Sequence, residues 1–200
     1  MTSTGLAIGL AVYVVGLIAL RKARYGLIAY LWGAFGLAAL LILTAQMGNW
    51  SGPVGAIQAS TLTFLANTVG FPLRTIDSAN LVVPDPTGWS IMAIGIECST
   101  VIEAAVFGGL MLFYPRFSAS ERLLRLGVGL GATFLINLAR LSVIIAMVTI
   151  LGKPAVPLAH AVVGRLVFFV GIVFVYWRMM TMPTLRIVRR DLEVSGRAAL

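Results

Sequence analysis

The sequence predicts an all-α polytopic membrane protein of about five transmembrane helices, with six as the alternative, plus an extracytoplasmic interfacial helix and a short β-hairpin. Three observations predict it. Of the 200 residues, 60% are hydrophobic and only 11% are charged, against about 25% charged in soluble chains. The apolar residues fall in runs, several of them long enough to cross a hydrocarbon core of about 30 Å. The basic residues stand in short clusters between those runs, where membrane proteins keep them. A soluble chain of this length has too little interior to hide so much apolar surface, so a single integral membrane domain over residues 1–200 is expected. The formal charge of +8 by itself suggests nucleic acid. Its clustered placement instead assigns it to a lipid bilayer, and no nucleic-acid partner is expected.

The first apolar run, Gly5 to Leu20, is followed at once by Arg21, Lys22 and Arg24. A signal peptide carries its positive charge before the run, so this segment reads as a retained helix. Tyr25 to Met47 is a full-length span. A third span is expected from about Cys98 to Tyr114, a fourth within Leu123 to Leu151 and a fifth over Leu158 to Trp177. The fourth stretch is longer than a crossing needs and must tilt, protrude or break.

Positive charge chooses the orientation. With the N-terminus outside, Arg21, Lys22, Arg24, Arg116, Arg122, Arg125, Arg178, Arg186, Arg189, Arg190 and Arg197 are cytoplasmic, eleven of the fifteen basic residues. The opposite topology reverses this bias. The expected location is therefore the cell membrane, with a basic C-terminal tail (residues 179–200) in the cytoplasm, fraying after Thr184.

Residues 48–97 then form an extracytoplasmic insertion. Val54 to Val69 mixes apolar residues with Gln58, Ser60, Thr61, Thr63 and Asn67, a composition suited to a helix at the interface or re-entering against the bundle. Asn80 to Val83 and Trp89 to Ile96 flank a Pro84-Asp-Pro-Thr-Gly88 cluster, which reads as a hairpin whose second strand leads to Cys98.

Ionisable groups inside spans are costly, and here they gather at one level. Glu97 and Cys98 open the third span, with Glu103 deeper in it. Asn137 and Arg140, spaced i, i+3, share one face of the fourth. His160 and Arg165 stand in the first turns of the fifth. Helical rise puts Arg140 about 8 Å below the outer boundary. Three helix ends are thus expected to bring Cys98, Arg140 and His160 together.

The side chains define what such a cluster does. Cys98 is the sole cysteine and His160 the sole histidine. A single cysteine forms no internal disulfide, so Cys98 is either inert packing or a working thiol. As a working thiol it must ionise to attack. A neighbouring imidazole can take its proton and later return one to a leaving amine. Arg140 keeps its charge and offers a fork of donors to a developing oxyanion or a carboxylate. Glu97 is expected to orient Arg140 or Arg165, and Glu103 reads as a structural partner for Arg140. Arg165 and Lys153 read as residues snorkelling to the headgroups. No ligand-pair spacing suggests a metal, and no cofactor is expected.

Glu97-Cys98-Ser99 opening an apolar helix, Asn137-Leu-Ala-Arg140-Leu on a later one, and His160-Ala-Val-Val-Gly164-Arg-Leu-Val-Phe168 opening the last together resemble the exosortase/archaeosortase family, in order and in rough spacing. The resemblance covers roughly residues 50 to 175. It implies a membrane-embedded cysteine transpeptidase or protease that cleaves C-terminal sorting signals, each a recognition motif, a transmembrane helix and a basic cluster. It implies Cys98 as nucleophile, Arg140 as stabiliser and His160 as acid/base, with Glu97, Asn137 and Gly164 in support. The implied partners are membrane-anchored proteins bearing such signals, cut near the outer face through a thioester. Residues 160, 164 and 168 fall on one helix face, where Gly164 admits a close neighbour. The family often has Gly after Cys-Ser, whereas this chain has Thr100. It also has fewer spans than many members. The rival readings are a non-enzymatic subunit that binds a small anionic solute through Arg140 and Arg165, and a catalytically inactive sorting scaffold.

Overall fold

The structure, a computed structural model, describes residues 3–198. It is mostly helical. Helices α1 (Ser3–Lys22) and α2 (Gly26–Met47) form an antiparallel pair, and α3 (Ser51–Thr68) follows. A three-stranded sheet of β1 (Arg74–Asp77), β2 (Asn80–Asp85) and β3 (Gly88–Ala93) precedes α4 (Val101–Phe113) and α5 (Ala119–Leu151). The chain ends in one helical run, α6 (153–198).

Four helical segments are long and apolar enough to cross a membrane: Thr4–Lys22, Gly26–Met47, Ala119–Leu151 and Lys153–Arg190. The third of the five expected spans is the exception. Its helix, α4, has 13 residues, about 20 Å at helical rise, short of a bilayer core of about 30 Å. Both ends have local causes. Residues 94–100 form a turn in which Thr100 adopts left-handed φ 62°. At the other end Tyr114, at φ −64° and ψ 119°, takes the extended backbone that a following proline, Pro115, imposes.

Helix α5 is continuous over its 33 residues. It is started by a reciprocal cap: Ser118 Oγ accepts from the Glu121 N–H, and the Glu121 carboxylate accepts from the Ser118 N–H, an arrangement that satisfies two orphan helix donors. Arg122 on its first turn donates to the carbonyls of Tyr114 and Phe117. Close packing of α4 on α2 depends on Gly109, where any Cβ would collide with the Ala34 carbonyl. Small residues supply such approaches where apolar burial alone gives lipid-soaked helices no reason to associate.

Helix α3 matches the expected helix within residues 48–97. Gly55, Gln58, Ala59 and Leu62 are its buried residues, the i, i+3, i+4, i+7 face of an amphipathic helix. That face packs on the sheet and on α5. The expected hairpin is β2–β3, paired from Asn80↔Ala93 to Asp85↔Gly88. Its turn is held by Asp85, whose Oδ1 accepts from the Thr87 N–H (2.7 Å) and hydroxyl (2.6 Å), and whose Oδ2 accepts from Ser90. Strand β1, outside the expected hairpin, adds antiparallel to β2 with a register shift between Thr75 and Asp77. Leu81 and Val83 of β2 are fully buried and join Leu141, Ile144 and Val148 of α5 in a core that also contains Cys98 and Ala159. A second core around Phe107, Met111, Phe117 and Val175 lies farther along α4 and α6.

The last run is longer than the expected fifth span. Instead of fraying after Thr184 it stays helical to Ala198, with an i, i+4 ion pair from Arg189 to Glu193 at 3.0 Å, a spacing that supports isolated helix. Residues 199–200 of the expected tail lie outside the described residues. Two wide π-type turns interrupt α6, at Ala159–Val163 and Trp177–Thr181. The first carries His160.

Candidate active site

The turn before α4 carries the thiol. The Cys98 N–H donates to the Gly95 carbonyl (3.0 Å) and the Ser99 hydroxyl to the Ile96 carbonyl (3.1 Å). Two buried amides hold this turn from the side. Asn137 Nδ2 on α5 donates to the Cys98 carbonyl at 2.6 Å and to Gln58 Oε1 at 3.1 Å. Gln58 Nε2 on α3 donates to the Ser99 carbonyl and to Thr100 Oγ1, both at 3.2 Å. Backbone carbonyls only accept, so these partners fix which way both amides face. Gln58, Ser99 and Asn137 have no exposed surface.

Thr100 explains why this turn suits glycine. Its φ of 62° is a left-handed value, sterically unfavourable for a β-branched residue. The hydrogen bond from Gln58 to its hydroxyl offsets part of that strain. Thr100 also donates to the Ser99 carbonyl.

Arg140 approaches the thiol from α5. Its Nη2 lies 4.0 Å from Cys98 Sγ and its Nη1 donates to the Glu97 carbonyl at 3.4 Å. The guanidinium carbon sits 5.6 Å above the centre of the Phe168 ring, a cation–π distance. Arg140 is 5% exposed, and its Nε has no hydrogen-bond partner. A buried fork with spare donors beside a thiol is suited to receiving negative charge.

His160 approaches from the first π turn of α6. Sγ of Cys98 lies 3.8 Å from its Nδ1 and 3.9 Å from its Nε2. Near-equal distances carry a geometric consequence. An imidazole lone pair points outward in the ring plane from one nitrogen, so a partner on that line is much nearer to that nitrogen than to the other. The sulfur is on neither line, so the imidazole does not accept a hydrogen bond from the thiol in this orientation of the ring. Such contacts tighten when a substrate binds.

Gly164 and Phe168, four and eight positions after His160, are both buried. At Gly164 a Cβ would meet Ile144 Cδ1 at 2.8 Å and the Ala159 carbonyl at 2.9 Å. The glycine therefore sets how closely α6 lies on α5.

The acidic residues depart from expectation. Glu97, an exposed residue, meets Arg140 through its backbone carbonyl rather than its carboxylate. Among the described residues no carboxylate lies within 4.0 Å of Arg140 or Arg165. Glu103, half-buried, has an unpartnered Oε2. Glu97, Glu103, Arg140, His160, Arg165 and Phe168 nevertheless line one cavity of about 400 Å³. A smaller one of about 70 Å³ extends from His160 beneath β2 and β3.

Gln58 is the site residue that sequence reasoning did not single out. Its signal was a polar side chain within Gly55, Ala59 and Leu62, on the helix's apolar face. That signal is weak without the knowledge that α3 docks on the Cys98 turn. No group of three or more His, Cys, Asp or Glu side chains suited to a metal occurs among the described residues.

No family model, curated protein or solved structure matches the chain.

Proposed function

We propose that the protein is a membrane-embedded cysteine transpeptidase or protease of exosortase type, acting on the C-terminal sorting signals of membrane-anchored proteins. One observation carries the reading: a buried arginine and the sole histidine, 42 and 62 positions beyond the sole cysteine in the chain, both come within 4.0 Å of its sulfur. Inert packing of Cys98 gives no account of a cation buried beside it with unused donors.

In this reading His160 turns onto Cys98 and takes the thiol proton. The thiolate attacks the scissile carbonyl carbon, forming a C–S bond, and the oxyanion is received by Arg140. Collapse breaks the C–N bond, and the imidazolium returns the proton to the departing amine, leaving a thioester on Cys98. An acceptor nucleophile or water then attacks the thioester carbonyl, and His160 takes that nucleophile's proton as Cys98 leaves. The Gln58–Asn137 pair keeps the nucleophile turn in place during both steps.

The orientation belongs to the same proposal: N-terminus outside, the basic end of the bundle and the C-terminus in the cytoplasm. Because α4 is short, the thiol then lies inside the outer leaflet rather than above it, and a substrate helix enters sideways from the lipid.

The test compares membrane-anchored exported proteins in cells of the source organism carrying wild type, Cys98→Ala or His160→Ala. C-terminal peptides are mapped by mass spectrometry, and thermal melts of the purified variants serve as fold controls. The expected result is a set of proteins whose C-terminal helix is removed only in wild type. Unchanged processing in folded Cys98→Ala sinks the reading. The cavity with Arg140 and Arg165 then favours the solute-binding alternative, for which a retained anionic ligand, lost in Arg165→Gln, is the expected sign.

A further inference from the structure

The three-stranded sheet has two edges, and they are built differently. Strand β1 forms one of them. It carries Arg74 and Asp77 and pairs with β2 through a register shift, features by which proteins blunt an edge against further strands. Strand β3 forms the other. Its residues, Gly88 to Ala93, include no charge and no proline, and its pairing with β2 is regular throughout.

Pro84 fixes which groups the β3 edge offers. Proline lacks an N–H and cannot complete a hydrogen-bonded pair, so Pro84↔Trp89 is a non-hydrogen-bonded one. The two kinds of pair alternate along an antiparallel ladder. Ser90 and Met92 therefore bond to β2, while Trp89, Ile91 and Ala93 turn their N–H and C=O groups away from it. None of these outward groups has a partner among the described residues.

This edge leads to the candidate site. Pro86 in the hairpin turn neighbours Gly152, the C-cap of α5. The Cys98 turn meets the same helix at Arg140, about 18 Å farther down at helical rise. Strand β3 thus descends along α5 toward the thiol. Beneath it lies the enclosed cavity of about 70 Å³, walled by Val83, Met92, Ile144, Val148, Val156 and His160. Ser90 also borders it but spends its hydroxyl on Asp85. Apart from the imidazole the walls are apolar, with room for one small aliphatic side chain. His160 lines the larger charged cavity as well, so the imidazole borders both.

We propose that an extended, uncharged peptide segment binds here as a fourth strand, hydrogen-bonded to Trp89, Ile91 and Ala93, with one small aliphatic side chain in the cavity beside His160. This binding mode rests on the transpeptidase or protease reading: the segment is the stretch of a membrane-anchored protein just before its transmembrane helix. A chain descending from the outer face to the thiol runs the same way as β3, so the added strand is parallel to it. Main-chain bonds supply affinity that is indifferent to sequence, and the cavity supplies the selection.

Proline at position 91 separates the edge from the site. It removes an outward N–H and no bond of the sheet, as Pro84 already does on β2, and edge strands accept proline on such terms. The Ile91 side chain is 70% exposed, so little packing is lost. Wild type, Ile91→Pro, Ile91→Val and Cys98→Ala are compared in cells of the source organism by mapping the C-termini of membrane-anchored exported proteins. The purified full-length variants give Tm and the rate of Cys98 alkylation.

Ile91→Pro is expected to melt close to wild type and to keep its labelling rate, yet to slow processing about tenfold or more. Ile91→Val retains the N–H and a β-branched side chain, and is expected to process within about twofold of wild type. The segments cut in wild type should share a small aliphatic residue at one fixed position before the cut. Replacing that residue by Phe in one of them should block its cleavage. Cys98-dependent processing that Ile91→Pro leaves unchanged overturns the added strand while the enzymatic reading stands. Processing that is equal in wild type and Cys98→Ala removes the enzymatic reading, and this inference with it. Slower processing accompanied by slower thiol labelling marks damage to the site. A dimer that Ile91→Pro renders monomeric assigns the edge to a second copy of the chain. Either of these last two results also overturns the proposal.

Discussion

The Asn137 side chain donates to the Cys98 carbonyl at 2.6 Å, so the residue that shares a helix face with Arg140 also holds the backbone of the thiol. Through Gln58 the same network reaches α3, and the Cys98 turn is gripped from two helices at once. Five predictions follow from this and neighbouring contacts.

Gln58→Leu removes both donors to the Ser99–Thr100 segment and one acceptor of the Asn137 amide; each of these groups keeps one other partner, so the cost is about 0.5–1.5 kcal/mol per lost bond. A fall in Tm is expected in detergent-solubilised protein, together with faster hydrogen exchange over residues 96–100. Unchanged exchange in that segment contradicts the clamp.

Thr100→Gly separates strain from hydrogen bonding. Left-handed backbone costs a non-glycine residue about 1–2 kcal/mol, and the lost hydroxyl contact is worth about 0.5–1.5 kcal/mol. The change in wild type should therefore be small. In a Gln58→Leu background, where the bond from Gln58 is already gone, the same substitution should stabilise the protein. Thermal melts of the four proteins form the cycle that decides it.

Arg140→Gln removes a cation 4.0 Å from the Cys98 sulfur. The thiolate loses its nearest favourable charge, so alkylation of Cys98 at neutral pH should slow by about tenfold or more. Cys98 is the only cysteine, which makes labelling unambiguous. A rate that does not respond to Arg140 or to His160→Ala means the thiol is packing.

Gly164→Ala forces a methyl group against Ile144 and the Ala159 carbonyl. Overpacking of this kind costs about 1–3 kcal/mol. Since α6 must move away from α5, the Cys98–His160 contact should lengthen and the effect of His160→Ala on thiol labelling should shrink. Gly127→Ala on α5, where a Cβ meets nothing within 4 Å, is the control and should be tolerated.

Asp85 gives the hairpin a pH dependence. Hydrogen bonds from Ser90 and then Thr87 hold its carboxyl below the ordinary carboxylate value, with more distant help from Lys153. A depressed folded pKa contributes stability that is present above the unfolded value, near about 3.9, and is lost as pH falls through the folded one. Exchange of the β2–β3 amides, corrected for intrinsic rates, should therefore rise on acidification below about pH 4. In Asp85→Asn that rise should vanish.

Much of the fold was legible in the sequence because bilayers impose a simple rule: apolar runs of sufficient length become helices, and backbone groups there have no other way to be satisfied. The hairpin was legible too, since Pro84 to Gly88 separates two β-prone runs. Strand β1 was not. Arg74 to Asp77 has no apolar alternation, and its four residues are all exposed; only pairing with β2 makes it a strand. The short α4 was also hidden, because the span expected over Cys98 to Tyr114 is closed to Val101–Phe113 by the left-handed Thr100 at one end and Pro115 at the other.

The sequence by itself determined that the chain has a membrane-type composition, that its basic residues favour one side, and that a thiol, an imidazole and a guanidinium stand near one depth. Depth follows from counting residues along helices. Only the tertiary structure decided that these groups touch, that Glu97 uses its carbonyl rather than its carboxylate, and that Gln58 belongs beside them. Those contacts depend on the rotation of α3, α5 and α6 about their own axes. Rotation is set by close packing at positions such as Gly164 and Gly109, which no count along one helix contains.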